Sequence, residues 1–512
     1  MNANLRKQLA QRKRRLQKRL DKTTGFGESR IRCGSTRYEL SDKQQAIDCG
    51  GMGMITQIAG QLGLRQSLNS AAAVFKFYAP YDETDHILNI AFNLLAGGTC
   101  LEHLELRRND EAYLDALGTR RIPDPTTAGD FCRRFSGEHL IMIQQAINQV
   151  RQKVWKQQPD EFFDQATIDG DGSMVETNGE KKRGIGLNYK GQWGYHPLII
   201  SLAETQEPLY LVNRSGNRPS SENAACFYDL AIKECRNAGF KKILLRGDTD
   251  FSQSTHLDAW NDGGVEFIFG YDAAPNLVEM AGLLDENRWK TLQREVRKTD
   301  QPRAKRAWHK EEFIIEKEYK NLVLARESYA EFEYSPARAK GTYRMVVVRK
   351  EIECSRGQKR LFDDDQVRYF FYITNSSKKD RPAREVIRQA NGRCNQENTI
   401  SQLKACRALS APLDNLESNW AYMVFASLAW TLKQWSGLLV RVKGPDSHRA
   451  RQRQIRQRVI RMEFSTYLNS LISIPAQIIR SARQTVFRLL TYRPSVDCLL
   501  MLHDHIRHPL RL

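Results

Sequence analysis

The chain has 512 residues, with 79 Lys+Arg against 60 Asp+Glu and a formal charge of +19. Hydrophobic residues at 41% and charged residues at 27% supply a packed core and exclude global disorder; the length implies about three or four domains. The longest uncharged stretches, 87–101, 418–432 and 464–479, fall short of the ~18 apolar residues that span a bilayer, so a membrane protein is not expected. The ten cysteines form no C-x-x-C pair, which argues against a zinc ribbon and fits a reduced cytoplasmic setting.

The positive charge is concentrated at the two ends. Residues 1–22 carry Arg6, Lys7, Arg12, Lys13, Arg14, Arg15, Lys18, Arg19 and Lys22 against a single acid, Asp21, on a breaker-free stretch that reads as a helix. A second run holds Arg441, Lys443, Arg449, Arg451, Arg453, Arg456, Arg458 and Arg461. Two such ends on one chain point to a polyanionic partner, most simply nucleic acid.

Between them the elements follow in order. A helical region is expected over 26–158, after a basic helix in 1–25. Within it Thr127 and Asp130 suit an N-cap with an acid three residues on, which places Arg133 and Arg134 in the early turns of a helix that reads as a recognition helix or a packing helix. After Pro159 the pattern changes to three strands, Ala166–Asp171, His196–Ile200 and Pro208–Val212. A helix over 221–238, a strand at 241–245, a helix at 254–261 and a strand at 265–270 follow. Residues 272–366 read as a β-rich insertion with strands at 313–317 and 343–349. Residues 367–374 form another strand, Arg381–Cys406 one long helix, and helical segments continue through a basic region, 441–512.

Carboxylates mark the candidate chemistry. Asp169 and Asp171 share one face of the first strand. Asp248 and Asp250 follow the fourth, where α/β sheets gather ligands. Glu397 shares a helical face with Arg393 and Lys404. Acids from two strand ends and a helix can hold two divalent cations, which activate a water or 3′-hydroxyl and stabilise the leaving oxygen. The order of elements, an acid on the first strand, another after the fourth and a third on a late helix, matches a ribonuclease H-like mixed-sheet core (159–271 and 367–440) interrupted by the insertion. No G-x-x-x-x-G-K-[ST] is present, and Gly184-Ile-Gly186-Leu-Asn-Tyr189 has tyrosine where a dinucleotide fingerprint needs glycine. His196 reads as a structural histidine, and Trp289 and Trp308 as residues of the insertion's core or strand faces.

In these residues the chain resembles the bacterial insertion-sequence DDE transposases of the class marked by Tyr-x2-Arg-x3-Glu-x6-Lys, most closely the insertion-sequence 1380 branch. The motifs are Asp171-Gly172-Ser173, Arg246-Gly247-Asp248, and Arg393, Glu397 and Lys404. To these add Pro80-Tyr-Asp-Glu-Thr-Asp-His, Ala96-Gly-Gly-Thr and Ile122-Pro-Asp-Pro-Thr-Thr-Ala-Gly-Asp. The signature tyrosine is replaced by Ala390. The resemblance implies that Asp171, Asp248 and Glu397 hold two Mg²⁺ ions, with Mn²⁺ able to substitute. The Gly-Ser and Arg-Gly contexts favour Asp171 over Asp169 and Asp248 over Asp250. It further implies that Arg393 and Lys404 hold phosphate, that Trp308 or Trp289 stacks on a flipped base, and that a homodimer joins two terminal inverted repeats to target DNA. Arg12, Arg14, Arg15, Arg133 and Arg134 are the expected further DNA contacts. The alternatives are a ribonuclease H-like nuclease without strand transfer and a non-catalytic DNA-binding protein on a degenerate transposase fold.

Overall fold

The computed structural model describes residues 3–21, 37, 44–75, 80–293, 322–354, 367–481, 484–508 and 510. Trp308 and the strand expected at 313–317 lie outside them. The chain divides into two compact units, one of Phe163–Gly172 and Pro219–Glu397, the other of Met1–Phe162, Ser173–Arg218 and Asn398–Leu512.

The first unit is α/β, with a large mixed sheet. Its strands run in the spatial order Lys290–Thr291, Leu322–Tyr334, Tyr343–Cys354, Val367–Thr374, Glu266–Tyr271, Lys242–Gly247 and Gln165–Gly172. Gln165–Gly172 and Lys242–Gly247 are parallel, as are Lys242–Gly247 and Glu266–Tyr271; the remaining pairings are antiparallel. The parallel strands are buried on both faces, as Ala166, Ile168, Ile243, Leu244, Leu245, Phe267 and Phe269 show, so they read as continuous apolar runs rather than alternations. Leu244, Ile268, Val346 and Val348 pack against Ala383, Val386 and Ile387 of the helix Ala383–Asn391, each fully buried aliphatic contributing about 1.5–3 kcal/mol. Ala390, at the position of the missing tyrosine, packs against the same cluster. The 13-residue strand Leu322–Tyr334 was not expected: its alternation is interrupted by a register shift at Leu324/Arg326.

One long helix was expected over 381–406; the structure has two, Ala383–Asn391 and Cys394–Ala405. At the junction the Arg393 N–H bonds the Ala390 carbonyl at 3.2 Å instead of that of Gln389. The Gln389 carbonyl accepts from Arg246 Nη1 at 3.0 Å, which leaves room for no side chain at position 392: a Cβ on Gly392 would lie 2.5 Å from that nitrogen. That carbonyl also accepts from the Gly392 N–H at 3.0 Å, so the helix ends in a tightened turn that an arginine from a neighbouring strand braces.

The second unit is mainly helical. Asp82 caps the helix Glu83–Leu95 in a reciprocal box with Asp85, and Asn415 caps the almost wholly buried helix Leu416–Leu438. Arg151 Nε, Trp155 Nε1 and Trp435 Nε1 donate to the buried Glu207 carboxylate at 3.0, 3.0 and 2.7 Å, which compensates its desolvation. Two expectations fail here. The helix with Arg133 and Arg134 starts earlier, at Pro125, because the Asp124 carboxylate accepts from the Thr127 N–H at 2.9 Å and proline presets the first turn. Arg133 is therefore its C-cap and Arg134 lies beyond it, so neither arginine is in the opening turns. The C-terminal region is also not all helical: Ala476–Ser481 and Gln484–Leu489 pair antiparallel, and Ala46–Ile47 joins the first of them. Among the described residues no helix is long and apolar enough to cross a membrane.

Candidate active site

The parallel register pairs Asp169 with Arg246. Two residues further along each strand, on the same side, come Asp171 and Asp248, at the carboxyl ends of adjacent strands. The repeated pattern, Asp169-Gly-Asp171 beside Arg246-Gly-Asp248, therefore builds one inner pair and one outer pair.

The inner pair is structural. Asp169 is fully buried, and Arg246 Nε and Nη2 donate to its two carboxylate oxygens at 2.7 and 2.8 Å. Burial raises the proton affinity of Asp169 and the guanidinium lowers it. Both its oxygens are engaged by Arg246. The Tyr228 hydroxyl donates to the Arg246 carbonyl at 2.8 Å, so this arginine is held at both ends.

The outer pair converges on Arg393. Its Nη1 lies 3.4 Å from Asp248 Oδ2 and 3.9 Å from Asp171 Oδ2, and its Nη2 lies 3.9 Å from Glu397 Oε1. The three acids singled out in the sequence are thus brought to a single guanidinium, at the start of the helix that carries Glu397. Asp248 also accepts from the Asp250 N–H at 3.1 Å, capping the short turn Thr249–Phe251, while Asp250 is exposed. Asp171 accepts from the Gly172 N–H at 2.8 Å. Burial and then the neighbouring charge of Asp248 raise the Asp171 carboxyl to about 7, against the opposing effect of Arg393; burial likewise raises Asp248. Glu397 is 61% exposed.

Among the described residues no three His, Cys, Asp or Glu side chains are grouped as a ready metal site. The donor set nevertheless suits a hard divalent cation: all three acids offer carboxylate oxygen, and two of them are crowded where their charges repel. Arg393 supplies the compensating positive charge.

The other expected residues are spread over the chain. Lys404 is exposed in the last turn of its helix. Arg14 and Arg15 are exposed on the helix Ala3–Leu20, whereas Arg12 Nη1 donates to the Leu489 carbonyl at 2.7 Å. Arg133 bonds Asp414 and Asp130, each at 2.8 Å, and Arg134 lies over the Phe75 ring at 5.2 Å. Trp289 is buried, with the Arg349 guanidinium 4.3 Å from its ring. His196 Nδ1 lies 3.3 Å from the Arg218 carbonyl. Sequence reasoning missed Arg246 and Gln389. The signal for the first was present, since Asp-Gly-Asp and Arg-Gly-Asp on parallel strands can pair charge to charge; the Gln389 carbonyl carries none.

A solved piggyBac transposase synaptic complex with hairpin DNA is similar to the chain over 82% of each chain, at 8% identity and a TM-score of 0.34. No curated protein matches. The family model for the transposase DDE domain, group 1, matches residues 44–510, and the chain belongs to that family.

Proposed function

We propose that the chain is a transposase that binds the terminal inverted repeats of an insertion sequence, cuts the DNA there and joins the freed 3′-hydroxyl to target DNA. The observation that carries this reading is the convergence of Asp171, Asp248 and Glu397 on Arg393 in a chain of the DDE family. The core is read as ribonuclease H-like, of the insertion-sequence 1380 branch.

Asp171, Asp248 and Glu397 would hold two Mg²⁺ ions. Bound divalent ions would supply the charge that activates a water or 3′-hydroxyl and stabilises the leaving oxygen. Asp169 and Arg246 fix the two strand ends. Arg393 balances the carboxylates in the protein alone and offers the same guanidinium to a phosphate when DNA enters. Lys404, on the helix that carries Glu397, adds a further phosphate contact. The exposed Arg14 and Arg15, and Arg449, Arg451, Arg453 and Arg458 on the helix Asp446–Arg461, supply sequence-independent contacts to the backbone. Two element ends must be held together, so a homodimer is the working unit, acting on DNA in the cytoplasm.

The test is incubation of the full chain and Mg²⁺ with a plasmid carrying both DNA ends that flank its coding region. The expected products are breaks at the repeat boundaries and strand-transfer joints. Cutting without joining would replace this reading by a nuclease, and binding without cutting by a DNA-binding protein.

A further inference from the structure

We propose that the β-hairpin of residues 186–195 is a DNA-contacting element that stacks Tyr189 and Trp193 on unpaired bases. The inference rests on the transposase reading and names a contact that the carboxylate site does not provide.

The hairpin is firmly built. Gly186–Leu187 pairs antiparallel with Trp193–Tyr195, which pairs in turn with Val175–Glu176. At its base Tyr195 is buried and its hydroxyl donates to the Arg183 carbonyl at 2.8 Å; Lys182 Nζ donates to the Leu413 carbonyl at 3.0 Å. Gly194 is required by the close approach of strands, because a Cβ there would lie 2.1 Å from the Val175 carbonyl oxygen. The tip is equally ordered. Asn188 Oδ1 accepts from the Lys190 and Gln192 N–H groups, both at 2.9 Å, and Gly191 takes the left-handed backbone at φ 77°.

This ordered scaffold turns its large side chains outward. Tyr189 is 93% exposed, Trp193 49% and Leu187 46%, and Leu187 stands directly opposite Trp193 in the register. An ordered tip that presents exposed aromatics gains nothing for its own fold and marks a binding surface. The charge says what binds: residues 175–195 contain Lys181, Lys182, Arg183 and Lys190 against Glu176, whose carboxylate accepts from Gln192 Nε2 on the paired strand, and Glu180, a net positive balance. Lys181, Arg183 and Lys190 are exposed, and Lys190 Nζ lies 5.4 Å from the Tyr189 ring centroid. Cations interleaved with exposed rings fit a nucleic acid, the cations meeting phosphate and the rings meeting base faces. Bases inside a duplex are already stacked, so the matching feature is an unpaired base or one freed by cutting.

The experiment compares binding of the full chain to a labelled duplex with a single-stranded overhang and to the same duplex blunt-ended, across a salt series. Tyr189→Ala should weaken overhang binding about tenfold and leave blunt-duplex binding and the salt slope unchanged, while Tyr189→Phe retains affinity. A halogenated uracil in the overhang should photocrosslink to Tyr189 or Trp193. Unchanged overhang binding by Tyr189→Ala, or crosslinks mapping only elsewhere, would overturn the proposal. So would a change in oligomeric state with DNA affinity intact, since the hairpin would then be a protein interface. If the unaltered chain binds neither DNA, the transposase reading itself fails and this inference with it.

Discussion

Breaking the Asp169–Arg246 pair should destabilise the sheet far more than any surface change. Asp169 is fully buried and Arg246 nearly so, and the two make a bidentate contact at 2.7 and 2.8 Å. Arg246→Met leaves a buried carboxylate without its cation, a loss of about 3–5 kcal/mol; Asp169→Asn leaves the guanidinium uncompensated at a similar cost. The double variant removes both charges, so its loss should be smaller than the sum of the single losses, with a coupling energy of about 2 kcal/mol or more. Arg246→Met also removes the side-chain contact to the Gln389 carbonyl, which keeps the Gly392 N–H at 3.0 Å, and so loosens the junction before Arg393. The chain has two units and need not melt in one step, so the suitable assay is amide hydrogen exchange of strands Gln165–Gly172 and Lys242–Gly247. Undiminished protection in either single variant, or a double variant as unstable as the sum, would refute this account of the pair.

Other predictions concern binding and pH. Affinity for duplex DNA should fall linearly in log K against log salt, and deletion of residues 1–22 should flatten the slope; an unchanged slope would remove the N-terminal helix from the interface. Changing both Arg133 and Arg134 to Ala should lower binding to terminal repeats and random duplex by the same small factor, because Asp130, Asp414 and Phe75 already hold these side chains; a loss confined to the repeats would restore them to base reading. His86 is buried against Phe131, ring centroids 4.3 Å apart, and burial, with Arg134 nearby, lowers its pKa to about 4. The unfolded chain takes up this proton first, so stability is full above about 6.5 and falls by up to about 3 kcal/mol as the pH drops towards 4. His86→Gln should flatten that part of the pH profile of amide-exchange protection in the helix Glu83–Leu95.

The parallel core was legible because strands buried on both faces leave apolar runs bounded by glycine, as at Ile243 to Gly247. Asp248 shows the limit of such a reading: a carboxylate directly after an apolar run commonly caps the next turn, and Asp248 does cap Thr249–Phe251. The broken Glu397 helix was not legible, because helical periodicity continues through Gly392 and the turn there is braced by Arg246, 146 positions earlier in the chain. The Pro125 helix start was misread by one turn, since Asp124 and Thr127 both suit an N-cap and only the observed hydrogen bond separates them. The hairpin at Ala476–Ser481 and Gln484–Leu489 was missed because its apolar residues also fit helical spacing. Asp169 and Asp171 share a strand face, so parity could not distinguish them; the register with Arg246 assigns the inner one to the ion pair.

In the proposed function Glu397 acts with Asp171 and Asp248 and is more than the surface partner of Arg393. The direct test is cleavage of a labelled terminal repeat by Glu397→Gln beside Asp171→Asn and Asp248→Asn, with DNA binding measured on the same preparations. An exposed ion pair at 3.9 Å is worth at most about 1 kcal/mol, so Glu397→Gln leaves the fold intact. All three variants should bind DNA normally, and cleavage should fall by orders of magnitude in each, with partial recovery in Mn²⁺. Near-normal cutting by Glu397→Gln while both aspartate variants are inactive would contradict this role, and would place the third acid elsewhere.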